Sequence, residues 1–442
     1  MKRWLVALAG IVTVLGPGAL YSFSLISTPL TAAFGWSLAS VSWAFAIANV
    51  FLAFGALIGG VASDRIGARP IAVTGVILWG AGFAACSTLS ASHSLVVFYL
   101  FFGVVGGLGC GMAYISALSA VIKWFPKSKG LGGGLVLLGF GIGSTVYNAI
   151  VRMTPTFATV NADTQGFVSA QATAVANHLP FNMSRYVMLP ADIDHFMSLL
   201  LFSGIAFAIV GVVAALFLTM PPVAQREENA LPEASAAQFT LKMTLGDARF
   251  YVLWAMLFLN VFGGITIISN MVPIMHELTG MSMGDAVGTY AYLAIFNGVG
   301  RLVWGWISDR ISRRVTFAIV LGGQSVAFFI LDGTKDPLFV VIAISILLLC
   351  YGGGFGIMPA FNSDFFGSKH FGANYGAQLS AWGLAAVAGV FFTGIMKGLS
   401  GSFAGIMQPV SIMLLVAMIL PLIVETPKKA RTLAADAALR AV

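Results

Sequence analysis

Charge is what this sequence lacks most. Of its 442 residues only 9% are Asp, Glu, Lys or Arg, and 59% are hydrophobic. Soluble domains carry about 25% charged residues, so this chain has too little polar surface to cover itself in water. Soluble domains, nucleic-acid readers and disordered tail proteins are excluded on that ground. Cysteine is nearly absent as well. Cys86, Cys110 and Cys350 lie far apart in apolar stretches, with no CxxC and no metal-ligand spacing. A disulfide scaffold is thereby excluded, and the three read as small buried hydrophobes. The five histidines, His93, His178, His195, His276 and His370, are scattered at segment ends and in loops. No Ser/His/Asp, Cys/His or metal-ligand cluster forms, so neither an enzyme nor a cofactor or metal is expected.

What is present is apolar length. Gly at 51 and Phe at 35 suit membrane helices, which use small residues for close contact. About 20 apolar residues cross a bilayer. Charge clusters and Gly/Pro/Ser breaks divide the chain into twelve such segments: 4–28, 39–62, 70–90, 94–123, 130–152, 194–219, 249–277, 283–308, 314–331, 337–362, 372–397 and 402–424. Met1-Lys2-Arg3 and the apolar run after it imitate a signal peptide, but no small-residue cleavage site follows, and an uncleaved first span is expected.

Orientation follows from Lys and Arg alone. With a cytoplasmic N-terminus, 18 of the 23 fall in cytoplasmic segments, and Arg152, Arg185, Lys335 and Lys397 fall outside. The net charge of +7 is therefore a topology signal. The expected organisation is an N-terminal six-helix half over 1–219, a cytoplasmic linker over 220–248, a C-terminal half over 249–424 and a cytoplasmic tail over 425–442. An outside loop over 153–193 is long enough to ask for a role, either a self-packed cap or a lid.

The two halves repeat. Gly60-Val61-Ala62-Ser63-Asp64-Arg65 after span two matches Gly305-Trp306-Ile307-Ser308-Asp309-Arg310 after span eight, and basic residues follow both. A weaker echo pairs Trp124–Lys129 with Phe365–His370. The exception among the charges is Arg301, in the middle of span eight. It precedes Asp309 by eight residues, which is about 12 Å up a helix. An Arg there costs at least about 2.5–3.5 kcal/mol. Asn297 and Tyr290 share its helix face, which therefore looks into the bundle or a cavity. Such an Arg is either structural, satisfied by carbonyls or a hidden acid, or an anchor for an anionic substrate. No Asp or Glu falls in the middle of a span, so the missing negative charge is most simply the substrate's.

Two related six-helix halves with doubled G-x-x-x-D-R turns resemble the major facilitator superfamily over essentially the whole chain. Within it, Phe296–Arg310 (FNGVGRLVWGWISDR) resembles span eight of the bacterial oxalate/formate antiporter family, which is related to the monocarboxylate transporters. Gly18–Phe23, Tyr114 to Pro126, and Asn362–Gly367 before Asn374-Tyr375-Gly376 agree. The resemblance implies an all-α membrane transporter with twelve transmembrane helices. It makes Asp64, Arg65, Asp309 and Arg310 gate residues that hold an outward-open state. It makes Arg301 the carboxylate anchor and places Tyr21, Tyr114, Tyr351 and Phe355 around the substrate. In the oxalate/formate family a Lys stands where this chain has Trp382, with Gln378 one turn earlier. One fixed cation balances one carboxylate, and a second anionic group would be desolvated without a partner. A small monocarboxylate is therefore expected rather than oxalate.

Proton-coupled relatives carry acids near the Arg and in span one, where this chain has Asn297 and Gly18–Phe23. An empty carrier would have to turn over with Arg301 unpaired, which favours anion exchange. Proton symport is the alternative, with His276, Glu277 and Asp285 as proton-coupling candidates. A drug exporter fits less well, because span five lacks the Gly-Pro signature. A transport-inactive sensor would need a signalling domain that the sequence does not show. The expected partners are a small carboxylate, the lipid bilayer and, if coupled, protons. The expected setting is a monomer in a bacterial inner membrane with both termini cytoplasmic.

Overall fold

The computed structural model describes residues 2–152, 190–222 and 238–424, and every regular element among them is helical. Eleven helical stretches are long and apolar enough to cross a membrane. The eighth span, Met283–Ser308, is an unbroken 26-residue helix but is not among them. Its own Asn297 and Arg301 lower its hydropathy. Most of the outside loop expected over 153–193 lies outside the described residues, as do the tail over 425–442 and the middle of the linker. The linker's described end forms a short helix, Leu241–Leu245, before span seven starts at Ala248.

Local chemistry sets the helix ends. Span one closes at Gly35 and span seven at Gly280, with φ of 67° and 71°, a left-handed conformation that costs glycine nothing. Two residues later Ser37 and Ser282 cap spans two and eight by accepting the N–H of Ser40 and Asp285. This G-x-S pair is a second repeat, at the end of the molecule opposite the D-R turns. Several spans are interrupted along their length. Span one passes through a 3-10 turn at Ala19–Ser22, and span four is π-helical over Tyr99–Gly106. Span seven breaks at Ser269-Asn270 and span eleven at Leu379.

Lipid gives helices no hydrophobic reason to associate, so close packing of small residues has to hold the halves together. Spans five (Lys129–Arg152) and eight meet through Gly130 against Gly305 and Gly141 against Gly298. Spans two (Leu38–Ile66) and eleven (Phe371–Ser400) meet through Gly60 against Gly372 and Gly376 against Ala56. A Cβ added at Gly305 would stand 2.5 Å from the Gly130 carbonyl oxygen, and one at Gly372 would stand 2.5 Å from that of Gly60. The first glycine of each G-x-x-x-D motif is therefore one of the points where the two halves touch.

Candidate substrate site and gate

Span eight is wedged between span five and span ten (Pro337–Phe366) because both present glycine to it. The Arg301 carbonyl packs on Gly134 from one side and on Gly356 from the other. The backbones approach closely enough to seal the Arg301 side chain in the seam, where its exposure is 0%. Its Nε donates to Asn297 Oδ1 at 3.3 Å and one Nη donates to the Tyr21 hydroxyl at 3.3 Å. The other, Nη1, is buried without a hydrogen-bond partner. No carboxylate pairs with Arg301 among the described residues.

Aromatic faces surround the cation instead. The guanidinium carbon lies 4.6 Å from the Phe355 ring centre, 5.3 Å from that of Phe140 and 6.0 Å from that of Tyr21. Each such contact is worth about 0.5–2 kcal/mol, more when dry, so the rings offset part of the burial cost. Trp382 sits at the middle of the box, 4.7 Å from Phe355, 5.7 Å from both Tyr114 and Phe140, and stacked at 6.4 Å on Tyr21. Tyr21 bridges the halves, since its hydroxyl also pairs with that of Tyr351 at 3.1 Å. Its perch is the 3-10 turn that interrupts span one.

The structure thus brings together Arg301, Asn297, Tyr21, Tyr114, Tyr351, Phe355 and Trp382. Gln378 stands off on the D-R side and accepts a hydrogen bond from Asn362 Nδ2 at 2.6 Å. Phe140 belongs to the box, and sequence reasoning missed it. Its one mark is a place inside Gly139-Phe140-Gly141, where Gly139 lets span one come close and Gly141 lets span eight come close.

His276, Glu277 and Asp285 are not brought to Arg301. Glu277 accepts from Lys397 Nζ at 3.1 Å, from Ser402 Oγ and from the Phe403 N–H, all within its own half. His276 Nδ1 pairs with the Met281 carbonyl at 2.7 Å, and Asp285 accepts from its own cap residue Ser282.

At the D-R end, each acid reaches across the seam. Asp309 accepts the N–H groups of Gly130 and Leu131 at 2.9 and 2.7 Å, the start of span five. Asp64 accepts those of Gly372 and Ala373 at 3.2 and 2.8 Å, the start of span eleven. A helix N-terminus carries about half a positive charge, so both contacts are charge-assisted. Arg313 lies 2.7 Å from Asp309 and Lys123 lies 3.7 Å from Asp64. A further bridge crosses between Lys129 and Asp364 at 2.9 Å, and Arg313 shares that acid. The two arginines of the D-R pairs do not join these bridges. Arg310 lies over the Trp306 ring at 3.5 Å and Arg65 is exposed. Arg313 and Lys123 take the places expected for them, because the residue directly after a C-terminal Asp points away from the seam.

Asp309→Asn keeps the side-chain shape but removes the charge from this contact and turns one of its two acceptor oxygens into an N–H donor. With charge-assisted bonds worth about 1.5–3 kcal/mol, opening at the D-R end is expected to rise roughly tenfold or more. A cysteine placed at Ser363 in a chain otherwise free of cysteine reports it, through faster labelling by an impermeant maleimide from that side. An unchanged rate would remove Asp309 from the gate.

The matching family model is that of the Major Facilitator Superfamily, over residues 6–162, 188–390 and 294–441. The chain belongs to the major facilitator superfamily. As a superfamily member it is a multi-pass membrane transporter and not an enzyme. The chain is 25% identical to the oxalate:formate antiporter of Oxalobacter formigenes over 406 residues, 91% of this chain and 86% of that protein. It is 23% identical to apicoplast pyruvate carrier 1 of Toxoplasma gondii, over 77% of this chain and 66% of that one. Monocarboxylate transporter 13 of Rattus norvegicus is 32% identical over 145 residues, 33% of each chain. Superfamily structures share the fold. They include the human organic anion transporter MFSD10, with a TM-score of 0.64 at 15% identity over 95% of this chain and 98% of that one. The outward-conformation transporter FucP has a TM-score of 0.65 at 15% identity, over 93% and 97%.

Proposed function

We propose that this protein carries a small monocarboxylate across the membrane by alternating access, exchanging one anion for another. The observation that carries the reading is Arg301. It is fully buried at the seam between the halves, has no ion pair among the described residues, and keeps Nη1 without a partner. A carboxylate oxygen at Nη1 would satisfy that N–H and balance the charge, and the aromatic walls would keep water out and strengthen the pair. The carboxylate and pyruvate carriers among the relatives support the same ligand class. Trp382 in place of a second cation supports one carboxylate per substrate. The halves rock about this box while Asp64 and Asp309 latch one end. The basic excess supports placing that end in the cytoplasm of a bacterial inner membrane, with both chain termini inside.

Exchange follows from the same cation, because each crossing made loaded carries Arg301 neutralised. Purified protein in liposomes, given labelled formate, acetate, lactate, pyruvate or oxalate, tests this. Uptake is expected with an unlabelled counter-load inside and not with an inward proton gradient alone. Uptake driven by the gradient alone would overturn exchange and make Glu277, His276 and Asp285 the next residues to vary.

A further inference from the structure

Polar groups that the anchor does not use begin on two members of the aromatic box, Tyr114 and Trp382, and continue from it toward the D-R end. Tyr114, Asn362, Tyr375, Gln378 and Trp382 are all 0% exposed. Asn362 Oδ1, Gln378 Nε2 and Trp382 Nε1 have no hydrogen-bond partner, and the Tyr114 and Tyr375 hydroxyls face only each other. They share the faces that build the site. Tyr351, Phe355 and Asn362 follow one another at helical spacing on span ten, as do Tyr375, Gln378 and Trp382 on span eleven. Tyr375 stands beside Tyr114 across the seam. The Asn362–Gln378 bond leaves one amide N–H₂ and one amide oxygen spare whichever way the two amides are turned. The cluster is therefore rich in neutral donors and contains no charge.

We infer that this cluster is a second subsite, which receives a neutral hydrogen-bond acceptor, a carbonyl, hydroxyl or ether oxygen, at the far end of a monocarboxylate held by Arg301. The inference rests on the Arg301 reading and adds the substrate's length and second group to it. Gln378 and Tyr375 lie four and seven residues from Trp382, about 6 and 10 Å along the helix. A two- or three-carbon acid held at Arg301 is expected to end at Trp382, short of them. An acid with an oxygen about five bonds beyond its carboxyl carbon extends past Trp382 toward Gln378, with its apolar middle against Trp382 and Phe355. A second carboxylate there would meet donors but no cation, so a neutral acceptor is preferred to an anionic one.

Calorimetric titration of the purified full chain with hexanoate, 5-oxohexanoate and glutarate tests this. 5-Oxohexanoate is expected to bind roughly tenfold tighter than hexanoate, the gain of one satisfied buried hydrogen bond, and glutarate more weakly than either. In Tyr375→Phe and in Gln378→Leu the ratio between the first two acids is expected to fall toward one. Equal affinities in the unmodified protein would overturn the subsite and leave the anchor standing. Failure of both acids to bind, or hexanoate binding retained in Arg301→Gln, would overturn the anchor and the subsite with it.

Discussion

Arg301→Ala is expected to abolish carboxylate uptake, by about 100-fold or more, in a protein that still folds. The size of the effect follows from the burial. A carboxylate drawn into this seam without the guanidinium would be a desolvated charge with no partner, a loss of about 3–5 kcal/mol, or roughly 10²–10⁴-fold. Folding is expected to survive because alanine strands no protein carboxylate, none being paired with Arg301 among the described residues. The Tyr21–Tyr351 hydrogen bond still ties span one to span ten. Arg301→Lys is expected to recover only part of the activity, since an ammonium cannot hold Asn297, Tyr21 and a carboxylate with one planar fork. Uptake in liposomes, alongside a gel-filtration profile that matches the unmodified protein, checks both variants. Normal uptake by Arg301→Ala would refute the anchor.

Trp382→Lys is expected to turn preference from one carboxylate toward two. The ring being replaced lies among Phe355, Tyr114, Phe140 and Tyr21 and has no exposure. An ammonium placed there joins Arg301 in a dry box, and two like charges repel strongly where water is excluded. A dianion relieves that repulsion and a monoanion relieves half of it. Competition by oxalate against a labelled monocarboxylate is expected to appear, with monocarboxylate affinity falling about tenfold or more. If folded Trp382→Lys gains no oxalate binding, charge matching does not set substrate choice here.

The parts of this molecule that could be read from sequence are those where chemistry contradicts lipid. Arg301 was visible because a fixed charge in a span has to be explained, and Asp64 and Asp309 because their motif occurs twice. Apolar composition and charge placement carried the span count, but they missed the breaks at Ser269-Asn270 and Leu379. An apolar helix gives no periodic signal for where its backbone bends. Phe140 was hidden for a related reason. Among 35 Phe nothing in composition separates a ring that faces a guanidinium from one that faces lipid. Tyr375 and Asn362, each about two helical turns from Trp382 and Phe355 respectively, carried no sign of a role, because only the folded seam brings their two helices together. The D-R arginines show the converse, a motif that names neighbours of the residues that bridge the seam. The Asp of each pair crosses the seam, whereas Arg310 turns back onto Trp306.

The two acid contacts at the D-R end are reciprocal, one half lending the carboxylate and the other the helix terminus, and then the reverse. Such an arrangement behaves as a bivalent clasp. Once one contact is made, the partners of the other are confined within a few ångströms, at a high effective concentration, and the second closes almost without further loss of freedom. Half-closed forms are correspondingly scarce. Severing either contact removes its own energy together with the avidity it lent the other, so the end is expected to open and shut as a single event.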